Sequence, residues 1–335
     1  MATYKEIYGS TIEVVTSDPP NPVEGQIWYN STDNVVKGFA LTTAGAWATG
    51  GSTNTGRFVP GGGGTKDAGI IFGGQPGGGT SIGNTELYNG TAWTEVNDLN
   101  TARERISPAA NTQTAALGSG GVIYPGASDQ ALTESWNGTC WSEVADLNTG
   151  DNGQFGFGDN TAAINAGGGS PPSQNKTEIW NGTSWTTSPA TLNQGRKDNE
   201  GGGMGTSTAG LIAGGNNGSP AYGNTESWNG TSWTEVNDLN TARTALVLSG
   251  TQDLGLAFGG QPPQTTATEE WNGTSWTTTT AMNIARRNFG GSMGTGTTSA
   301  FAATGIDPSF PPTVTTSTEE WTGAGTPVTY TFTDS

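Results

Sequence analysis

The chain of 335 residues contains no histidine and one cysteine, Cys140. Without histidine, Ser-His-Asp and Cys-His nucleophile systems are excluded, and so are ordinary zinc and copper sites. No EF-hand-type loop is present, which leaves only a surface Ca²⁺ open. We therefore expect no cofactor, no metal and no enzymatic activity. A glycosidase that uses a pair of carboxylates stays open, because acidic residues are plentiful and nothing singles out a pair.

Basic residues are scarce, with 12 Lys and Arg against 29 Asp and Glu and a formal net charge of −17. They form no basic stripe, so we expect no nucleic-acid partner, and anionic membrane surfaces are disfavoured as well. Long apolar runs are also absent: no segment approaches the roughly 18 apolar residues of a membrane span. The N-terminus lacks the apolar core of a signal peptide. We expect a soluble protein that is made in a cytoplasm and does not insert into membranes.

One nine-residue sequence motif, Thr-Glu-x-(Tyr/Trp)-Asn-Gly-Thr-x-Trp, recurs along the chain, and we call it the phrase. The glutamates of successive copies lie 43 to 50 residues apart. A period in this range indicates one supersecondary unit per repeat, stacked so that neighbours bury a shared core. Complete copies lie at Thr85–Trp93, Thr133–Trp141, Thr177–Trp185, Thr225–Trp233 and Thr268–Trp276, and a truncated copy begins at Thr318.

Each repeat predicts four short strands. In residues 243–276, the apolar runs Thr244–Leu248 and Leu254–Phe258 precede the Thr-Glu strand, and Asn272-Gly273 turns the chain into the last strand. Asn-Gly between β-rich flanks predicts a hairpin with a type I′ turn, in which both central residues have φ > 0. The two aromatic residues that flank the turn stand five positions apart, and we expect them to form the core between units rather than a sugar-stacking platform.

An arginine follows the second tryptophan of the phrase by ten residues in most repeats. Together with the repeated glutamate, it predicts ion pairs or backbone contacts between units, with an anion-binding rim as the alternative. These arginines are Arg57, Arg103, Arg243 and Arg286, while Arg196 is displaced by one position and Asp151 replaces the arginine in the second repeat.

A hydrophobic run, a diglycine, a glutamate with an aromatic residue and then a tryptophan resemble the kelch repeat of β-propellers. The resemblance is strongest in residues 233–260 and covers about residues 57–321. It implies a propeller and leaves the function open. The spacing from the aromatic residue to the tryptophan is shorter than the usual kelch loop, so we expect a tighter outer hairpin. The fold class predicted is all-β, a single six-bladed kelch-like β-propeller with a short N-terminal extended arm.

Two parts are predicted: an extended attachment arm of residues 1–36, and a propeller of residues 37–335 that the N-terminal strand 39–49 closes. Residues 328–332 are a competing or additional strand. The stretch Pro20–Phe39 is similar to a segment near the start of bacteriophage tail and fibre proteins. This resemblance implies that the arm docks onto other virion proteins within a larger oligomeric assembly. It also implies that the protein is located in the virion and is assembled in the cytoplasm of the host bacterium.

The leading hypothesis is a non-enzymatic phage virion structural protein, a tail fibre or appendage whose propeller loops recognise a glycan or protein of the host surface. The alternatives are a decoration or adaptor protein without receptor binding and, third, a polysaccharide depolymerase. The loops between the second and third strands differ in every repeat, and variable loops on a rigid scaffold usually carry recognition. The predicted binding residues on these loops are Gln75, Pro76, Ile82, Ser128, Asp129, Pro171, Gln174, Asn216, Asn217, Tyr222, Gln261 and Phe310.

Overall fold

The computed structural model is all-β with a propeller-like architecture. It describes residues 12–20, 22, 25–41, 44–126, 128–169, 173–197, 202–218, 220–294, 296–308, 313–325 and 327–332. In these ranges, the helical structure comprises two single 3₁₀ turns, Ser173–Asn175 and Gly296–Thr298. The chain divides into two compact units: unit 1 comprises residues 1–45 and 323–335, and unit 2 comprises Ala46–Thr322.

The strands are short, as the turn-rich sequence predicts. The first fifteen are β1 (Glu13–Val15), β2 (Ile27–Asn30), β3 (Val35–Leu41), β4 (Ala46–Gly50), β5 (Gly61–Thr65), β6 (Ala68–Phe72), β7 (Thr85–Tyr88), β8 (Trp93–Val96), β9 (Ser107–Thr112), β10 (Ala115–Ser119), β11 (Val122–Ile123), β12 (Ser128–Asp129), β13 (Thr133–Trp136), β14 (Trp141–Glu143) and β15 (Phe155–Gly158). The others are β16 (Ala163–Ala166), β17 (Thr177–Trp180), β18 (Trp185–Thr187), β19 (Met204–Thr206), β20 (Ala209–Ala213), β21 (Thr225–Trp228), β22 (Trp233–Val236), β23 (Val247–Gly250), β24 (Gly255–Phe258), β25 (Thr268–Trp271), β26 (Trp276–Thr278), β27 (Gly290–Gly291), β28 (Ser299–Ala303), β29 (Thr318–Thr322) and β30 (Pro327–Phe332).

Unit 2 contains six four-stranded antiparallel sheets, one for each copy of the phrase. In order from first to fourth strand, sheet 1 is β5–β8, sheet 2 is β9, β10, β13 and β14, sheet 3 is β15–β18, sheet 4 is β19–β22, and sheet 5 is β23–β26. Sheet 6 consists of β27, β28 and β29, and its fourth strand is β4 from the start of the unit, with Trp47 opposite Trp321. The additional hairpin of β11 and β12 lies in the loop between β10 and β13.

The first strands of neighbouring sheets contact one another in a cycle. β5 contacts β9, β9 contacts β15, and the series continues through β19, β23 and β27 until β27 contacts β5. Glycine makes this approach possible: a Cβ on Gly63 in β5 would lie 2.3 Å from the Cβ of Ala110 in β9. The run of four glycines in β5 therefore has a packing reason.

The aromatic residues of the phrase form the core, as the sequence predicts. In each third strand the Thr, the Glu and the aromatic residue are buried, and the residue between them is half-buried. The aromatic residue pairs directly with the tryptophan of the fourth strand, and their ring centroids lie 4.8–5.5 Å apart. Such contacts contribute about 0.5–1.5 kcal/mol each beyond the burial of area.

The predicted hairpins form, but the predicted type I′ turn is wrong. The loop between paired strands has four residues, as in Asn137–Cys140, and its glycine has positive φ while its asparagine does not. The Asn137 side chain accepts hydrogen bonds from the amides of Thr139 and Cys140 at 2.9 and 3.0 Å. This is an Asx turn, in which the asparagine side chain accepts from the following amides and mimics a backbone turn.

Unit 1 is a four-stranded sheet in the order β1-β2-β3-β30, with β1 parallel to β2 and the other pairs antiparallel. Asp18 accepts hydrogen bonds from Trp28, Asn30 and Lys37 at 2.8–3.1 Å. The hydrogen bond from Lys37, followed by those from Asn30 and Trp28, lowers the pKa of Asp18 to about 2. From the sequence we predicted an extended arm that ends at residue 36, with the propeller beginning at residue 37. In the structure residues 35–41 join the unit 1 sheet, and the strand that pairs with β29 is Ala46–Gly50, because it carries the repeat tryptophan.

Candidate functional site

The buried residues of the repeated phrase have structural partners. The indole Nε1 of the fourth-strand tryptophan donates to the hydroxyl of the phrase threonine in the preceding sheet, at 2.9–3.1 Å. These bonds run through all six sheets, including the bond from Trp93 of sheet 1 to Thr318 of sheet 6. The six bonds are Trp47–Thr268, Trp93–Thr318, Trp141–Thr85, Trp185–Thr133, Trp233–Thr177 and Trp276–Thr225.

The repeated arginines form buried ion pairs with the phrase glutamates. The N–O distances are 2.5–3.0 Å, and both side chains of every pair are at most 1% exposed. Burial lowers the pKa of each arginine below its usual value, while the partner glutamate acts in the opposite direction. The pairs are Arg57–Glu86, Arg103–Glu134, Arg196–Glu226, Arg243–Glu269 and Arg286–Glu319.

Each guanidinium also ties two backbone segments of its sheet together. Nη1 of Arg243 donates to the carbonyl of Gly259, where β24 ends, and to that of Ala267, just before β25. The glutamate Glu269 accepts from the backbone amide and the side chain of Asn240 at 2.7 and 2.8 Å. The predicted ion pairs and backbone contacts form, but the prediction that they join neighbouring units is wrong. Each arginine precedes the first strand of the same sheet whose third strand carries its glutamate, so each pair lies within one sheet. The alternative of an anion-binding rim is wrong for these arginines, because their side chains are at most 1% exposed and both Nη atoms of each guanidinium are engaged within the sheet.

Sheet 3 departs from this pattern. Asp151 stands at the arginine position, and Lys176, directly before β17, brings the positive charge from another point of the chain. Its Nζ lies 3.2 Å from Glu178 and 3.6 Å from Asp151. In sheet 3 a lysine thus takes the place of the repeated arginine, and a second buried carboxylate, that of Asp151, lies near it.

The loops between second and third strands (hereafter the recognition loops) begin beside the segments that lead into the first strands. Isolated backbone bridges pair Phe58 with Gln75, Glu104 with Val122 and Lys197 with Asn216. Thr244 pairs with Gln261, and Arg287 with Ile306, in the same way. Every recognition loop with such a bridge is therefore fixed at its start to the scaffold.

The structure separates the predicted binding residues by their exposure. Gln75 and Asn216 are buried, each 8% exposed, because the bridges hold the loop starts against the scaffold. Gln75 donates to Glu104 at 2.8 Å. Ile82, Gln174, Tyr222 and Gln261 are half-buried, Pro76, Ser128, Asp129 and Asn217 are exposed, and Pro171 and Phe310 lie outside the described residues.

Tyr222 is engaged in the scaffold although it lies on a recognition loop. Its hydroxyl accepts from the side chain of Gln194 at 3.1 Å, and the guanidinium of Arg196 lies 6.0 Å from its ring centroid. A substitution there would disturb the Arg196 site together with any ligand contact.

A cleft of about 360 Å³ brings one predicted residue, Asp129, together with residues that the sequence did not single out. We call it the loop cleft. Val122, Tyr124 and Asp129 come from the recognition loop of sheet 2. The others come from segments before first strands or, in the case of Gly169, from the recognition loop of sheet 3. Its lining consists of Arg105, Val122, Tyr124, Asp129, Asn152, Gly169 and Lys197.

The backbone of the loop cleft is held by hydrogen bonds. The amide of Arg105 donates to Val59 at 3.0 Å, and that of Lys197 to Asn216 at 2.7 Å. The amide of Tyr124 donates to the hydroxyl of Ser81 at 2.9 Å. The Asn152 side chain donates to Asp129 at 2.6 Å.

Two residues of the loop cleft that we did not single out could have been noticed in the sequence. Arg105 and Lys197 are basic residues outside the repeated arginine position in a chain with 12 basic residues.

No protein-family model matches the chain, and no curated protein matches it. Within the described ranges, no three His, Cys, Asp or Glu side chains come together as a metal site. No helix in the described part of the chain is long and apolar enough to span a membrane.

Proposed function

We propose that unit 2 is a closed six-bladed, kelch-like β-propeller, and that the chain is a non-enzymatic structural protein of a phage virion, of the tail fibre or appendage type. In this proposal its recognition loops bind a glycan or protein of the host surface. The cycle of tryptophan–threonine bonds through six sheets, together with the cycle of contacts between first strands, supports a closed ring.

One observation supports the assignment of recognition to the loops: the side chains that recur in every repeat are engaged in holding the scaffold together. The repeated tryptophans, threonines, arginines and glutamates are buried and bonded to one another. The exposed side chains that differ between repeats lie on the recognition loops, and residues of these loops line part of the loop cleft. Recognition by loops on a rigid scaffold is the common arrangement.

The proposal of a non-enzymatic role has support from the same contacts. A glycosidase needs two carboxylates that face a sugar from opposite sides. Five phrase glutamates are held by arginines, and Glu178 lies beside Lys176, so the most regular acidic residues of the chain face the interior.

Attachment to the virion through unit 1 is part of the proposal. β1 and β30 are the outer strands of its sheet, and Val14 on β1 is 67% exposed and Phe332 on β30 is 54% exposed. Outer strands with exposed apolar side chains favour pairing with another chain. This supports virion proteins as partners of unit 1 and a place in a larger assembly in the virion, formed in the host cytoplasm.

Binding of the fluorescently labelled protein to a panel of bacterial strains tests the proposal by flow cytometry. One variant receives the loop Gln261–Ala267 of sheet 5 in place of residues 122–130. The control at the opposite end of the sheets exchanges the turn Asn137–Cys140 for Asn229–Ser232, which changes only Cys140 to serine. We expect saturable binding to some strains that the loop exchange abolishes and the turn exchange leaves unchanged. Binding that survives the loop exchange, or no binding to any strain while the protein assembles into virions, would favour the decoration or adaptor alternative. Release of shortened polysaccharide from the cells would favour a depolymerase.

A further inference from the structure

We infer that strand β30 of unit 1 pairs with the same strand of a second copy of this chain, antiparallel and about a two-fold axis at Tyr330. The four-stranded sheets of the two copies then join into one continuous sheet. The inference goes beyond the proposed function, because it names the partner of one strand and does not depend on a virion.

The outer edge of β30 presents backbone hydrogen-bonding groups to a further strand. In β3, the amide of Phe39 donates to Gln26 and its carbonyl accepts from Gly25, so both groups face the side of β2. Neighbouring pairs of an antiparallel ladder alternate in their hydrogen bonding. The residue opposite Phe39, Thr329, therefore directs its N–H and C=O away from β3, and so does Thr331, two positions further along.

β30 lacks the features that protect an outer strand from pairing, which are short length, charge and a proline within the strand. It has six residues and no charge, and its one proline is the first residue. The opposite outer strand, β1, has three residues and includes Glu13. The fourth strands of the sheets in unit 2 have three to five residues. β30 is therefore the outer strand best suited to accept another strand.

The charge distribution favours a second copy of the chain at this edge. Two copies with a formal charge of −17 each repel one another over most of their surface. Residues 322–333 contain no charged side chain, so two β30 strands can approach without like charges opposite one another.

The sequence of β30 is complementary to itself about Tyr330. Opposite residues of an antiparallel ladder direct their backbone groups the same way, so a strand paired with its own copy has one residue on the two-fold axis. With Tyr330 on the axis, Thr329 lies opposite Thr331 of the second copy, and Val328 lies opposite Phe332 of the second copy. Thr–Thr, aromatic–aromatic and aromatic–β-branched pairs all stabilise a sheet.

Other positions of the axis are less favourable. An axis at Thr329 would bring Pro327, which has no N–H, into the ladder and would leave Phe332 beyond the pairing. An axis at Thr331 would pair only three residues of β30.

The described side chains of the strand are accessible to a second copy. Thr329 and Thr331 are exposed, and Phe332 is 54% exposed. The Phe332 ring lies over β3, because a Cβ on Gly38 would lie 3.0 Å from its Cε2. The ring is thus held on one side by its own sheet, and a second strand would cover more of it.

Sedimentation equilibrium of the full chain over a series of concentrations tests the inference. A reducing agent excludes dimers that are linked through Cys140. One double variant, Thr329→Lys with Thr331→Lys, places lysine opposite lysine across the proposed axis. The matched double variant, Thr329→Glu with Thr331→Lys, changes the same two exposed positions but places glutamate opposite lysine. Val14→Lys is the control at the other edge of the sheet.

We expect a reversible monomer–dimer equilibrium of the wild-type chain. The double-lysine variant should weaken the dimer about tenfold, since each dimer contains two such opposed pairs, and the glutamate–lysine variant should dimerise at least as well as the wild type. Thr331→Pro should also weaken the dimer at least about tenfold, because it removes an N–H that only the second copy uses. Val14→Lys should leave the dimer unchanged. Trp28 fluorescence checks that unit 1 of each variant is folded, because Trp28 is buried in its sheet.

A monomer at every concentration would overturn the inference, and so would a trimer. A dimer that survives the double-lysine variant, or that Val14→Lys dissociates, would place the contact elsewhere. Equal weakening by the two double variants would contradict the axis at Tyr330.

The same variants separate this inference from the proposed function. If the purified chain is monomeric and Thr331→Pro fails to enter virions, β30 pairs with another virion protein, so the inference fails and the proposed function stands. If the dimer forms as expected but the protein is found in no virion and binds no bacterial strain, the inference stands and the proposed function fails.

Discussion

Removal of one buried arginine tests the role of the ion pairs in the scaffold. In Arg243→Leu, the carbonyls of Gly259 and Ala267 lose a donor, and the carboxylate of Glu269 stays buried without its cation. Breaking a buried pair from one side costs about 3–5 kcal/mol. For a chain of this size, that corresponds to a fall in the thermal midpoint of about 4–7 °C.

The assay is thermal and urea unfolding followed by tryptophan fluorescence, which reports on the aromatic core between the sheets. The control is Arg287→Gln, a half-buried neighbour of the repeat position, which should change stability by less than about 0.5 kcal/mol. The double variant Arg243→Leu with Glu269→Leu should regain part of the loss, because the uncompensated charge is then absent. A loss below about 1 kcal/mol for Arg243→Leu, or an equal loss for the control, would refute the structural role of the pair.

Four further predictions follow from other contacts. Thr177→Val removes the acceptor of Trp233 Nε1 and should destabilise the chain by about 1–3 kcal/mol in urea unfolding, while Thr183→Val in the exposed turn should not. Gly230 has φ of 94°, so Gly230→Ala should cost about 1–2 kcal/mol by the same measurement, and a neutral result would contradict the turn geometry. Lys176→Ala removes the ammonium group that lies near the buried carboxylates of Asp151 and Glu178, and should lower the thermal midpoint more than Lys66→Ala does. The pKa of Asp18 lies near 2 in the folded chain, below its ordinary value of 3.8. Its carboxylate therefore stabilises unit 1 above about pH 4, and this contribution is lost as the pH falls through about 2. A change in the fluorescence of Trp28, which donates to Asp18, should follow this pH window and vanish in Asp18→Asn.

The repeat made much of the scaffold predictable, because each position of the phrase recurs with the same partner. A glutamate and an arginine recur in step along this acidic chain, and charged side chains need partners when they are buried. The buried ion pair of Arg243 and Glu269 is an example. The Asn-Gly turns were predicted with the wrong geometry. The dipeptide alone favours a two-residue turn, whereas the following Thr139 and Cys140 supply amides that the asparagine side chain caps.

The loop cleft could not be predicted from the sequence, since its lining comes from loops of different sheets. Arg105, Tyr124 and Lys197 meet because neighbouring sheets place their loops at one end. Gln75 and Asn216 looked like exposed loop residues because they follow diglycines. A backbone bridge buries each of them, and that bridge depends on a partner more than 15 positions away in the sequence.

Closure of unit 2 through β4 is the central structural claim, and an engineered disulfide tests it most directly. Ala46 lies opposite Thr322 in the pairing of β4 with β29, at the two ends of the unit. The variant carries Ala46→Cys and Thr322→Cys, with Cys140→Ser to remove the native thiol. We expect an intramolecular disulfide in the oxidised monomer, with faster migration in non-reducing electrophoresis and a stabilisation of up to about 5 kcal/mol from the long loop it closes. Failure to form the disulfide, or its formation only between two chains, would contradict closure of the ring within one molecule.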